Sequence, residues 1–162
     1  MSAVRGKRES YDDVPLPALL HAIRGTYTAA VRRAQARVGC GDVPASGEYL
    51  LNAMEWSGAS LESVIRWLGV TKQAVSQAVE TLVVRGYLER ERDPTDRRRV
   101  VLSLTDRGHK AGRAARSAIE DVDRRLRARV GAQCIAHTRT TLVALLEIKR
   151  HAEGRAPPEV VA

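Results

Sequence analysis

Within a few residues of Gly86 the hydrophobic period of this chain changes from helical to strand-like, and that switch constrains the fold more than any other feature. Upstream, Thr71 offers a hydroxyl at an N-cap position, where it can accept from an orphan helix N–H. Wound at about 100° per residue, the segment after it puts Ala74, Val75, Ala78, Val79 and Leu82 on one side. Lys72, Gln73, Ser76, Gln77 and Glu80 fall on the other. The spacing predicts a helix running to Arg85 and ended by Gly86 as a left-handed C′ residue. Tyr87 to Arg92 then alternates as a strand. Asp93 to Asp96 is turn chemistry, with Pro94 fixing φ. Arg97 to Leu104 returns with Val100, Leu102 and Leu104 on one face.

The polar side of that helix carries a cation, two amides and a hydroxyl close to the N-terminus, groups suited to base edges and phosphates. The helix dipole adds partial positive charge at the same end. Taken alone, Lys72, Gln73, Ser76 and Gln77 would be the wet face of a helix. Behind a capped turn and ahead of an Arg-tipped hairpin, nucleic-acid contact is the better reading. Arg97, Arg98 and Arg99 gather three cations at the turn. Read alone they are a solvated turn; read with the upstream helix they are a hairpin reaching a polyanion, with guanidinium groups in a narrow minor groove.

Three pieces, LGVTKQAVSQAVETLVVRGYLER, DPTDRR and LSLTDRG, resemble the recognition helix, the wing and the following helix start of the multiple antibiotic resistance regulator (MarR) family of winged helix-turn-helix proteins. The resemblance covers residues 60 to 108; beyond them it rests on helix order and length. It implies a mainly α fold with a two-stranded wing and long terminal helices that dimerise. It implies a DNA-binding transcription regulator, by default a ligand-responsive repressor. In the family an Asp and the Arg two residues on form a recurrent pair, which maps onto Asp96 and Arg98, the carboxylate orienting the guanidinium. Thr71, Lys72, Gln73, Ser76, Gln77, Arg97 and Arg98 are the DNA-contact candidates. Ile65 departs from the family pattern, standing where a small Ala is usual. A protein-interaction module and a non-specific architectural DNA binder are the alternative functions.

The chain has 162 residues and a net charge of +8, which agrees with a polyanionic partner once a motif coincides with the charge. Phe is absent and aromatics make up only 4%, which argues against single-strand binding by base stacking. No apolar run approaches a membrane span and no leader is visible, so a cytoplasmic protein is expected.

Taken in order, residues 1–13 and 153–162 read as tails and 14–38 as a long amphipathic helix ending near Gly39. Residues 43–105 form the DNA-binding lobe, with a helix from Pro44 to Trp56 and a short one capped by Ser60, carrying Val64, Trp67 and Leu68 inward. Residues 106–151 give two further long helices, the first capped by Thr105 and broken from the second at Gly131. All 162 residues thus read as one domain. The apolar stripes of 14–38 and 106–151 exceed what one small lobe needs, which suggests a homodimer.

In relatives a small aromatic acid binds beside the lobe, so His21, Tyr27, Trp56 and Trp67 are effector-pocket candidates; core packing is the alternative for each. Arg107, Lys110 and Arg113 could touch phosphate or simply be solvated. Arg124, Arg125, Arg127 and Arg129 read as ion-pair partners for residues such as Asp121 and Asp123. Cys40 and Cys134 lack metal-ligand spacing and read as structural or incidental thiols, and the four His show no zinc pattern. No cofactor is expected and no catalytic motif is present, so the chain does not read as an enzyme.

Overall fold

The computed structural model describes residues 11, 13–57, 71–92 and 100–154. Five helices and a two-stranded antiparallel sheet are seen there: α1 Leu16–Arg37, α2 Glu48–Ser57, α3 Lys72–Val84, β1 Leu88–Arg92, β2 Val100–Leu104, α4 Asp106–Val130 and α5 Ala132–Ala152. This is the mainly helical architecture with a small β wing and long flanking helices that the sequence led one to expect. The short helix expected from Ser60, the turn at 93–96 and the tails 1–10 and 155–162 lie outside the described residues.

The lobe is organised by α3 and the hairpin behind it. Val75, Ala78, Val79 and Leu82 are buried at helical spacing, and Leu82 is fully covered. Val75, Val79 and Leu82 join Leu50 and Leu51 of α2, Cys40, Tyr87, Leu88 and Ala111 in one apolar core. Each large aliphatic side chain so buried contributes about 1.5–3 kcal/mol. Ala74 departs from the expected stripe: it is exposed in the first turn, ahead of the buried run.

The hairpin pairs Leu88 with Leu104, Arg90 with Leu102 and Arg92 with Val100. Gly86 sits at φ 69°, the left-handed conformation that ends α3 and turns the chain into β1. Its N–H donates to Val83 O at 2.9 Å and that of Tyr87 to Leu82 O at 2.9 Å, closing the helix. At the other end of the hairpin the Thr105 hydroxyl caps α4, accepting from Gly108 N–H at 3.0 Å. Gly108 is there because α4 starts against the hairpin. A β-carbon at that position would lie 2.1 Å from the Tyr87 carbonyl oxygen.

The second helix starts later than the sequence suggested. Residues 44–47 form a turn in which Gly47 and Glu48 N–H both donate to Pro44 O, at 2.8 and 3.2 Å, and α2 begins at Glu48. The turn brings Gly47 against Leu82, where a β-carbon would be 2.9 Å from the leucine side chain. Buried Glu48 pairs with Arg32 of α1 at 3.0 Å, which ties the first helix to the lobe.

The long helices flank this core. α1 packs along α4, whose buried residues Gly108, Ala111, Gly112 and Ala115 are all small and all lie in its first half. Small side chains let α2 approach as well: Glu55 lies over Gly112, where a β-carbon would meet it at 2.7 Å. Farther along, Leu126 and Val130 of α4 are exposed, and α5 has no buried residue at all.

Candidate nucleic-acid interface

The polar face of α3 is set by its cap. The Thr71 hydroxyl accepts from Ala74 N–H at 3.2 Å, and the Thr71 carbonyl from Val75 N–H at 3.1 Å. With the register so fixed, Thr71, Lys72, Gln73, Ser76 and Gln77 are all exposed, opposite Val75, Ala78 and Val79. The five candidates on this helix therefore share one solvent-facing surface at its positive end. First-turn N–H groups that no helical carbonyl reaches point the same way. Asp96, Arg97 and Arg98 lie outside the described residues, so the wing is seen only through its two strands.

Two features of this region were not legible beforehand. Glu80, last on the polar face of α3, is forked by Arg90 of β1: Nη2 donates to one carboxylate oxygen and Nη1 to the other, the latter at 3.4 Å. Helix and wing strand are thus joined across their outer surfaces by a charge pair.

The second feature lies beneath. Arg107, in the first turn of α4, donates to the Arg85 carbonyl at 2.6 Å and to Asp42 Oδ1 at 2.8 Å. Its guanidinium lies over the Tyr87 ring, 4.4 Å from the centroid. The Tyr87 hydroxyl donates to the same Asp42 oxygen at 2.5 Å, and Arg85 donates to the Asp42 carbonyl. The Thr105 hydroxyl donates to Gly86 O at 2.6 Å. The C-terminal end of α3 is therefore clamped between the α1–α2 linker and α4. The Tyr87 hydroxyl above all, with help from Arg107, holds the Asp42 carboxyl below the ordinary carboxylate range. Burial and the Asp42 bond push the Tyr87 hydroxyl far up. Arg107 is thus part of the clamp.

The effector-pocket candidates are dispersed. His21 is exposed on α1. The Tyr27 hydroxyl donates to Asp123 of α4 at 2.5 Å; burial, then that bond, pushes its pKa up to about 12. Trp56 is half exposed, with the Arg116 guanidinium 5.5 Å from its ring centroid. Asp123 and Arg116 are two turns apart on α4, about 10 Å along the axis, so the described contacts tie Tyr27 and Trp56 to separate stations. Trp67 lies outside the described residues. Asp121 pairs with Arg124 and Arg125, as the charge pattern led one to expect. Cys40 is buried with its thiol 3.8 Å from Val38 O, and Cys134 is exposed. Among the described residues no group of three or more His, Cys, Asp or Glu could hold a metal ion, and no helix is long and apolar enough to cross a membrane.

A capped helix with a polar outer face, running through a glycine into a β hairpin and flanked by long helices, defines a winged helix-turn-helix protein. Residues 50–99 match the MarR family model. Over 49 residues it is 43% identical to YdcH of Bacillus subtilis, an uncharacterised helix-turn-helix-type transcriptional regulator. That match takes in 30% of this chain and spans about a third of the relative, 33%. Among solved structures the fold is similar to MepR of S. aureus in complex with DNA, at 18% identity and TM-score 0.64, covering 82% of this chain and 97% of that one. It is also similar to MarR itself, at 24% identity and TM-score 0.59, covering 88% and 96%. A further similar structure is S. aureus MepR bound to ethidium bromide, at 18% identity and TM-score 0.52, covering 82% and 95%.

Proposed function

We propose that this protein is a sequence-specific, double-stranded DNA-binding transcription regulator that acts as a homodimer, by default a ligand-responsive repressor. One observation carries the reading: the Thr71 cap presents Lys72, Gln73, Ser76 and Gln77 together on the exposed, electropositive end of a helix whose other face is locked into the core. α3 would lie in a major groove, and Arg97 and Arg98, with Asp96 orienting Arg98, in the flanking minor groove. The net charge of +8 supports a polyanionic partner. In this division the lobe 43–105 reads DNA, and 14–38 with 106–151 form the dimer. A cytoplasmic location goes with such a role.

Regulation would work by changing the separation of the two reading helices. An effector does this only if it binds one separation better than the other. Tyr27 and Trp56 flank the α4 segment that links lobe to dimer helices, so His21, Tyr27, Trp56 and Trp67 remain the proposed effector contacts. That MepR is found with DNA and with ethidium is in keeping with such a switch.

The test is selection of bound sequences from random duplex DNA at about 150 mM salt. The expected result is a near-palindrome with half-sites roughly 34 Å apart. Arg98→Ala should then weaken binding to that site about tenfold or more, within the roughly 1–3 kcal/mol of one good Arg contact. A folded dimer that enriches no sequence would overturn the proposal in favour of an interaction module or an architectural binder. An Arg98→Ala protein that matches wild type would remove the wing from it.

A further inference from the structure

Glu80 poses a problem that the proposed function does not resolve. It continues the polar row of Lys72, Gln73, Ser76 and Gln77 along α3, so it faces the side on which a phosphate backbone would lie. A bare carboxylate there repels the duplex. The structure shows what becomes of the charge: both oxygens of Glu80 are engaged by the two terminal nitrogens of Arg90, in a fork between the outer face of α3 and the wing strand β1. Both side chains are about half exposed, at 59% for Glu80 and 45% for Arg90, so the pair does little for the core. Arg90 stands beside Leu102 in the hairpin and is anchored from its own strand by the ladder.

Resting on the DNA-binding reading, we propose that Glu80 and Arg90 are a positioning pair for DNA recognition. The pair fixes the wing strand against the reading helix, and it withholds Arg90 from sequence-independent phosphate contact. Two consequences follow from the charges alone. An unpaired Arg90 is a long, mobile cation at the edge of the interface, free to find phosphate wherever the duplex lies. It would raise binding to all DNA alike, and so lower discrimination. An unpaired Glu80 leaves a negative charge facing the backbone and lowers all binding. The fork therefore favours specificity over affinity, by satisfying a cation inside the protein that would otherwise be spent on any sequence.

The experiment measures dissociation constants across 50–200 mM salt for wild type, Glu80→Gln, Arg90→Gln and the exchanged pair Glu80→Arg with Arg90→Glu. Each is titrated with a random-sequence duplex and with the duplex recovered by selection; circular dichroism checks that each remains folded. Glu80→Gln should bind the random duplex more tightly. Its plot of log affinity against log salt should steepen by about 0.9, one added phosphate contact, an extra loss of about 3.5-fold between 50 and 200 mM. Its preference for the selected duplex should fall. Arg90→Gln should weaken both duplexes. The exchanged pair can close the same fork and should return slope and preference towards wild type, a rescue that loss of a merely structural contact would not give. A Glu80→Gln slope and preference equal to wild type, or an exchanged pair no closer to wild type than the single variants, would overturn the proposal. If wild type itself binds no duplex at 50 mM salt, the DNA-binding reading fails and this inference with it, and that failure is visible before any variant is compared.

Discussion

Asp42 shows how one surface carboxylate can hold the end of a helix in place. It lies in a linker, exposed, and yet it accepts from Tyr87 beneath the hairpin and from Arg107 at the start of α4. Because those bonds are made to the ionised form, they hold the carboxyl below its ordinary value. The sign for stability follows. Unfolded, Asp42 titrates near about 3.9; folded, it titrates lower. The contribution is therefore fully present above the unfolded value and is lost as pH falls from there through the folded value. Asp42→Asn should remove that share of the acid sensitivity. Urea midpoints of both proteins between pH 5 and pH 2 should show wild type losing stability more steeply than the variant over this window. Parallel curves would mean that the bonds to Tyr87 and Arg107 do not favour the ionised group. None of this was legible in sequence, for a physical reason: Asp42 is 45 residues from Tyr87 and 65 from Arg107, and no periodicity encodes contacts at that range. The same holds for Glu80 and Arg90. Each was visible as polar, but their partnership depends on the angle at which β1 leaves α3.

Elements were far more legible, because their ends are set by local chemistry. Thr71 and Thr105 cap their helices as hydroxyls at those positions should, and Gly86 adopts the positive φ its place after a helix demands. The sequence misjudged α2, since a proline suits a first helical turn and nothing local shows that residues 44–47 must bend to seat Gly47 on Leu82. Glycines also separate what a motif looks like from why it is there. Gly108 is the last residue of LTDRG, and its α-carbon faces the Tyr87 carbonyl oxygen, which itself accepts from Thr105 N–H at 3.2 Å. A methyl group 2.1 Å from that oxygen can be relieved only by pushing α4 off the hairpin. Gly108→Ala should therefore cost about 3 kcal/mol, the upper range for overpacking. Gly25 is the contrasting case, an exposed position in mid-α1 with nothing within 4 Å of an added β-carbon. There the same substitution should stabilise by roughly 0.5–1 kcal/mol through helix propensity. Chemical denaturation of the two variants separates these outcomes. Equal effects would show that Gly108 answers to propensity and not to the close approach of α4.

At the scale of the whole molecule, the long helices make sense only if something covers them. α5 runs 21 residues without burying one, although Leu142, Val143, Leu145, Leu146 and Ile148 lie along it. An isolated helix of this length is marginal in water, and most helices are held by the apolar face they bury. Leu16 and Ile23 of α1 and Leu126 and Val130 of α4 are exposed in the same way. The proposed homodimer supplies the cover, since α1, α4 and α5 all leave apolar residues open. A two-fold interface counts each substitution twice, once from each subunit. Leu146, 42% exposed in the single chain, is a good probe because changing it removes no buried contact from the lobe. Two lost leucine burials amount to at least about 3 kcal/mol, and a charge left in the interface adds to that. Leu146→Glu should thus raise the dimer dissociation constant by more than about 100-fold. Sedimentation equilibrium at micromolar concentration should find wild type dimeric and the variant monomeric, each with the lobe folded. The variant should also lose binding to a palindromic duplex far more than to a single half-site. A variant that sediments as wild type does would place the dimer contact elsewhere than on α5.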